Sequence, residues 1–119
     1  MSQPLQQAPI NSGSEVVIAF SAAGSPDEAR RIANVLVAER LAACVNIVDN
    51  MHSVYRWRGS LEVSTESLVL IKTRANLLAA LESRLRDLHS YEVPELITVP
   101  IAAGSQAYLE WIFASTNGG

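Results

Sequence analysis

Residues 88–96, Leu-His-Ser-Tyr-Glu-Val-Pro-Glu-Leu, hold the densest set of side chains in this chain that can bind a cation or exchange a proton. They include His89, one of only two histidines, together with Tyr91, Glu92 and Glu95. Imidazole nitrogen suits copper, zinc or nickel, whereas carboxylate oxygen is less selective. We therefore expect any metal chemistry to involve His89 first, with Glu92 and Glu95 nearby.

His89 also has a simpler interpretation, because it lies where a leucine-rich helical pattern ends. A histidine there can satisfy the last carbonyl groups of the helix. A metal site needs three or four ligands, and no His-x-His or Cys-x-x-Cys spacing supplies them. Other parts of the fold, or a neighbouring subunit, would have to complete the site. The single cysteine, Cys44, is expected to be a small buried apolar residue, with its thiolate as a further candidate ligand.

Two other groups of residues have more than one interpretation. Lys72 interrupts an apolar strand, and it either extends its ammonium group to the surface or pairs with a carboxylate or anionic ligand. We predict a ligand cleft lined by Lys72, Tyr91 and Arg74. Two aromatic residues beside an arginine are typical of an interface, so Tyr55, Trp57 and Arg58 are predicted to contact another subunit.

The composition of the chain narrows the function classes. Its 119 residues fit one domain, and a net charge of −3 without a basic run disfavours a nucleic-acid partner. One cysteine suits a reducing compartment, and no apolar run is long enough to cross a membrane. We expect a cytoplasmic protein with a flexible tail over 1–13 and a folded domain over 14–116.

The motifs of the common enzyme classes are not found in the sequence. It has no Gly-x-Ser-x-Gly, no phosphate-binding P-loop and no dinucleotide fingerprint. Glu92 and Glu95 can transfer protons in principle, but surface carboxylates are common. We therefore predict that the protein is not an enzyme.

The order of elements predicts an α+β fold. An apolar strand over 15–22 precedes a helix whose start carries the capping pattern Ser25-Pro26-Asp27-Glu28. Two β-rich runs then flank a turn at 58–60, and a second helix, a strand over 96–102 and a short last helix follow. This βαββαβ order with a C-terminal helix is that of the ferredoxin-like split βαβ fold. Pro100 cannot donate to a ladder, so the last strand is expected at a sheet edge.

Five strings in order resemble the CutA family, also called the divalent-cation-tolerance proteins: LVAERLAACVNIV, SVYRWRGSLE, LIKTR, HSYEVPEL and YLEWI. The resemblance runs from about residue 15 to residue 116. It implies a ferredoxin-like subunit in a tight homotrimer, with strands joined across subunits and clefts between them. It also implies a cytoplasmic protein linked to tolerance of copper and other divalent metals, without an established enzymatic activity.

The resemblance also indicates which residues would correspond to the family's metal ligands. Family members with a proposed copper site use a cysteine at the end of the first strand and two adjacent histidines before the loop. Here these positions are Phe20 and the pair Leu88 and His89, so only His89 matches. Ser90 replaces the proline that follows. The resemblance therefore implies an incomplete copper site in this chain.

Two hypotheses of function follow. The first is a non-enzymatic homotrimer that binds Cu²⁺ or another divalent metal, with His89, Glu92, Glu95 and Cys44 as candidate ligands. The alternative is a trimeric sensor resembling the nitrogen-regulatory PII proteins, with a small anion or nucleotide held in an intersubunit cleft by Lys72, Arg74 or Arg56. The tight turn at 58–60 disfavours the alternative, because PII-type proteins carry a long mobile loop there.

Overall fold

The structure is a computed structural model, and it describes residues 15–117. The tail predicted for 1–13 lies outside these residues. Four strands and three α-helices form one α+β unit, as predicted, in the order β1 (Val16–Ala23), α1 (Pro26–Ala38), β2 (Cys44–Trp57), β3 (Ser60–Arg74), α2 (Leu78–Leu88), β4 (Ile97–Pro100) and α3 (Gln106–Ala114). A single 3₁₀ turn, Ala75–Leu77, precedes α2. No helix within 15–117 is both long and apolar enough to span a membrane.

The four strands form one antiparallel sheet in the order β2-β3-β1-β4. Helices α1 and α2 cover one face, and the main core lies between them and the sheet. Ala19 of β1 and Val69 and Ile71 of β3 are fully buried there. Successive strand residues point to opposite faces, so Ile18, Phe20 and Leu70 point to the other, open face.

The start of α1 follows the predicted capping pattern, with one difference. Ser25 Oγ accepts a hydrogen bond from the Glu28 amide at 3.1 Å, and Pro26 occupies the first turn. In a complete capping box the glutamate would bond back to the amide of the cap residue. Glu28 instead accepts from the amide of Gly24 at 3.2 Å, because its carboxylate also reaches Ser90 in the loop after α2.

Strands β2 and β3 form the predicted long hairpin. Arg58 and Gly59 form its two-residue turn with φ values of 51° and 83°, which are typical of a type I′ turn. A bulge between Val48 and Met51 places two β2 residues against one of β3. The tip beyond the bulge exposes apolar side chains: Val54, Trp57, Leu61 and Val63 are 42–69% exposed.

The last two elements differ in detail from the prediction. Strand β4 has four residues rather than seven, and it lies at the sheet edge, as predicted for a strand that contains Pro100. Pro100 is opposite Val17 of β1, and no strand of residues 15–117 lies on its other side. The helical period of the sequence predicts Tyr108, Trp111 and Ile112 on one side of α3. The helix instead buries Leu109 and Ile112 against Val16 and Ala43, which leaves Tyr108 and Trp111 more than 40% exposed.

Candidate functional site

The segment 89–96 connects α2 to β4 and lies across the end of β1. His89 is the C-cap of α2, and its amide donates to the Leu85 carbonyl at 2.9 Å. Its backbone is already extended, with φ −88° and ψ 141°. The chain thus leaves the helix before Pro94, in agreement with the predicted crossing from helix to strand.

His89 is buried, and both of its ring nitrogens have partners. Nε2 lies 2.6 Å from the Ala22 carbonyl oxygen, and Nδ1 accepts from the Tyr91 amide at 3.0 Å. A carbonyl can only accept, so Nε2 carries the proton and the lone pair of Nδ1 is occupied. His89 can therefore bind a metal only if one of these two hydrogen bonds is broken. Its metal role stays a prediction.

Glu28 is a buried carboxylate that the sequence identified only as a helix cap. It accepts from the Ser90 amide at 2.7 Å, from Ser90 Oγ at 3.0 Å and from the Gly24 amide, and it lies 3.5 Å from His89 Nδ1. Burial alone would raise the pKa of Glu28, but the hydrogen bonds from Ser90 and Gly24 lower it below the usual value. Glu28 therefore stays ionised and fixes the start of the 89–96 segment against α1.

Tyr91 continues the same network. Its hydroxyl donates to Glu66 Oε2 at 2.6 Å, and its ring centroid lies 4.6 Å from that of His89. Burial, followed by the hydrogen bond to the Glu66 carboxylate and the charge of that group, raises the pKa of Tyr91 above its ordinary value. Sequence reasoning missed Glu66, because it reads as one more polar residue in the alternating pattern of β3. Its partner is 25 residues away.

A cavity of about 720 Å³ opens where this network meets the hairpin. Its walls include three aromatic side chains, Tyr55, Trp57 and Tyr91, and three carboxylates, Glu66, Glu92 and Glu95. Apolar residues complete the lining: Ala22, Met51, Val54, Leu68 and Val93, with Ser53 as a further polar member. The structure thus brings part of the predicted metal set and part of the predicted interface set into one place.

The two predicted glutamates have different surroundings. Glu92 is exposed and pairs with Arg58, whose Nη2 lies 2.8 Å from Oε1, and the Arg58 guanidinium also lies over Trp57 at 5.3 Å. Glu95 is exposed as a residue, yet partial burial of its carboxyl, followed by the nearby charge of Glu66, raises its pKa. Glu92 thus has a donor in Arg58, as Glu28 has in Ser90 and Gly24, whereas Glu95 has none among the described residues.

The remaining predicted site residues lie elsewhere. Cys44 pairs with Lys72 in the β2–β3 register, four residues along β3 from Leu68, the partner of Ala22. At about 3.3 Å per residue this separates Cys44 from the His89 contact by about 13 Å along the strand direction alone. Within residues 15–117 no three side chains among His, Cys, Asp and Glu form a group able to hold a metal ion.

Lys72 and Arg74 do not line the cavity. Lys72 Nζ is 3.5 Å from the Tyr108 hydroxyl and lies over that ring, so it contacts α3 rather than Glu92 or Glu95. Arg74 is buried, and it donates through Nε to Thr116 Oγ1 at 2.9 Å and through Nη2 to the Asn117 carbonyl. Of the predicted ligand cleft, only Tyr91 lies at the cavity.

Comparison with known proteins identifies the family of this chain. The sequence profile of the CutA1 divalent ion tolerance protein family matches residues 17–115. The chain belongs to this family. The divalent-cation tolerance protein CutA of Thermus thermophilus is 47% identical over 93 residues, which is 78% of this chain and 90% of that protein. The CutA family and the fold predicted from the sequence are thereby confirmed.

Two further relatives, one of known structure, are also similar to this chain. CutA1 from Oryza sativa superposes with a TM-score of 0.86 at 38% identity and covers 91% of this chain and all of that one. The chloroplastic CutA protein of Arabidopsis thaliana is 42% identical over 101 residues, or 85% of this chain. The chain spans only 56% of the length of that plant relative.

Proposed function

We propose that this CutA-family protein acts in divalent-cation tolerance as a homotrimer that binds divalent metal ions without being an enzyme. The tolerance role is supported by the names of the family and of its Thermus thermophilus member. Assembly into a trimer is supported by the apolar surface that one chain leaves uncovered.

The open face of the sheet is the main observation in favour of assembly. Ile18 and Phe20 point to this face, and the β1–β4 register places Val99 beside Ile18 and Ile97 beside Phe20. Ile97 is 60% exposed and Val99 44%. Helix α3 packs only against the end of the face near Val16. A continuous apolar surface of this kind marks a protein–protein interface.

The projecting hairpin extends this surface beyond the body of one chain. Its tip carries the predicted interface residues Tyr55, Trp57 and Arg58, and both aromatic side chains are more than 40% exposed. An isolated two-stranded ribbon is marginally stable in water, so a partner surface against the tip would stabilise it. The hairpin and the open face therefore support the same proposal.

Light scattering coupled to size-exclusion chromatography tests the assembly. The wild-type protein is expected at three times the chain mass. Val99→Asp places a charge in the proposed interface and is expected to give monomer, because burying an unpaired carboxylate is costly. Val37→Asp is the matched control, since Val37 is 41% exposed on α1, on the helix-covered side. A wild-type monomer, or equal effects of both variants, would overturn the proposal.

For metal binding, the accessible candidates at the cavity are Glu92 and Glu95, and a neighbouring chain would have to supply further ligands. His89 then orients the segment through Ala22 and Tyr91 unless metal binding displaces those bonds. Titration calorimetry with Cu²⁺ and Zn²⁺ tests whether His89 and Glu95 are metal ligands. If His89 is a ligand, His89→Ala abolishes binding of the metal, whereas Glu95→Gln weakens it if the carboxylates are ligands. Isotherms that match wild type in both variants would remove these residues from the site.

A cytoplasmic location, and the absence of nucleic-acid and membrane partners, belong to the same proposal. The net charge of −3 and the single cysteine support them. The sensor alternative has no comparable support, because Arg74 donates to residues after α3 and Lys72 contacts Tyr108. Neither is presented to an anion in the described chain.

A further inference from the structure

We propose that His89 belongs to a structural joint, formed by residues 88–90, and is not a ligand of the divalent cation. Its exclusion from the ligand set rests on the proposed metal binding, whereas the joint itself consists of contacts within one chain. Three observations support the joint: the burial of the imidazole ring, the partners of its two nitrogens and the hydrogen bonds of the two flanking residues.

The His89 ring is closed to an incoming ion. Its side chain is 0% exposed, Nε2 donates to the Ala22 carbonyl, and Nδ1 accepts from the Tyr91 amide. Histidine binds a metal through the lone pair of an unprotonated ring nitrogen. A metal at Nδ1 would displace the Tyr91 amide, and a metal at Nε2 would displace the proton that Ala22 accepts. Either change removes the partner of a backbone group in a buried environment, which costs free energy.

The surroundings of the ring are poor in available ligand atoms. Glu28 Oε2 lies 3.5 Å from Nδ1, but this carboxylate already accepts from the Gly24 amide and from the amide and Oγ of Ser90. Among the side chains of residues 15–117, no three from His, Cys, Asp and Glu form a group able to hold a metal ion. Because a metal site needs three or four ligands, a cation at His89 would also have to break the bonds of Glu28.

The two residues that flank His89 fasten the same segment to α1. The Leu88 carbonyl accepts from Arg31 Nη2 at 3.1 Å, and Ser90 donates to Glu28 through its amide at 2.7 Å and through Oγ at 3.0 Å. His89 itself binds the end of β1, with Nε2 at 2.6 Å from the carbonyl oxygen. Three successive residues thus bind α1, β1 and α1 in turn. The joint holds the end of α2 against both elements.

The joint determines where the following residues lie. Tyr91 is bonded to His89 through its amide, and Glu92 and Glu95 follow on the same segment. His89 is therefore a positioning residue for these two carboxylates. A glutamine side chain can take over this role, because its amide group donates to a carbonyl as Nε2 does. It lacks the imidazole nitrogens that suit copper and zinc.

Nitrogen NMR of the His89 ring tests the joint and the ligand role together. The chain has two histidines and His52 is exposed, so a His52→Gln protein shows the His89 ring alone. In the purified full chain we expect the Nε2–H tautomer and the same ring-nitrogen shifts with and without excess Zn²⁺. An Nδ1–H tautomer would overturn the joint. A ring nitrogen that moves to a metal-bound shift with Zn²⁺ would show that His89 is a ligand.

Two substitutions of His89 distinguish positioning from metal ligation. His89→Ala removes the bonds to Ala22 and Tyr91, and we expect a lower midpoint of urea unfolding. His89→Gln restores a donor to Ala22, and we expect it to recover most of the midpoint and to bind Zn²⁺ within about threefold of wild type. His52→Ala is the matched control, because this exposed histidine is expected to affect neither measurement.

A ligand role predicts the opposite pattern for His89→Gln. The variant would then be stable but would lose at least about tenfold in Zn²⁺ affinity, and this result would overturn the proposal. A urea midpoint of His89→Ala equal to that of His52→Ala would overturn the joint. If the wild type binds neither Zn²⁺ nor Cu²⁺, the metal proposal fails, and the tautomer and the urea midpoints still decide whether the joint exists.

Discussion

Two carboxylates within the site differ in the number of hydrogen bonds that they receive. Glu28 receives hydrogen bonds from Ser90 and Gly24, whereas Glu66 receives one from Tyr91. Donors that stabilise the charged form lower the pKa of the Glu28 carboxyl, although its burial acts in the opposite direction. Glu28 is therefore a structural anion.

Glu28→Gln tests the structural role. The folded pKa of Glu28 lies below its usual value of 4.5, so its charge contributes stability that is present above that value. This contribution is lost as the pH falls through the folded pKa. We expect the variant to lose about 1–3 kcal/mol of unfolding free energy at pH 7 and to depend less on pH in acid. Urea unfolding at fixed protein concentration measures this, with the exposed Glu82→Gln as control. A variant as stable as this control at pH 7 would contradict the role.

Tyr91→Phe tests the link between Tyr91 and Glu66. The variant leaves a buried carboxylate without its donor, and we expect a loss of about 1–3 kcal/mol in unfolding free energy. The raised pKa of Tyr91 means that its stabilising effect is present below its ordinary pKa of 10.0 and is lost as the pH rises through the folded pKa. Ultraviolet titration of the three tyrosines should therefore lose its highest step in the variant. Persistence of that step would assign it to another tyrosine.

Among the elements, the hairpin depends most on backbone geometry. Arg58 and Gly59 both have positive φ, and an added Cβ on Gly59 would meet no atom within 4 Å. Gly59→Ala therefore tests conformation without a steric clash, and we expect a loss of about 1 kcal/mol in unfolding free energy. Gly59→Asn is the control, because asparagine tolerates left-handed backbone better. Denaturant unfolding measures both, and equal losses would show that positive φ is not the cause.

The elements also show which features the sequence could predict. Capping at Ser25, the turn at 58–59 and the edge position of Pro100 depend on local chemistry, and the structure confirms all three. The Tyr91–Glu66 and Glu28–Ser90 contacts join residues 25 and 62 positions apart, and no local pattern marks such pairs. His89 was recognised as important, but only the tertiary structure shows that Ala22 and Tyr91 occupy both of its nitrogens.

For the whole molecule, one chain leaves two surfaces incomplete: the open sheet face with Ile97 and Val99, and the hairpin tip with Trp57. The described part of one chain also lacks a complete set of metal ligands. Both observations have the same explanation if neighbouring chains cover the apolar surface and add ligands beside Glu92 and Glu95. Divalent-cation binding should then depend on assembly.

Calorimetric titration of Cu²⁺ into wild type, Val99→Asp and Val37→Asp at equal chain concentration tests this dependence most directly. We expect saturable binding by the wild type, as the proposed trimer, and by the Val37→Asp control, and a loss of at least about tenfold in affinity for a dissociated Val99→Asp protein. Unchanged Cu²⁺ affinity in a Val99→Asp monomer, or no saturable binding by the wild-type trimer, would contradict the account.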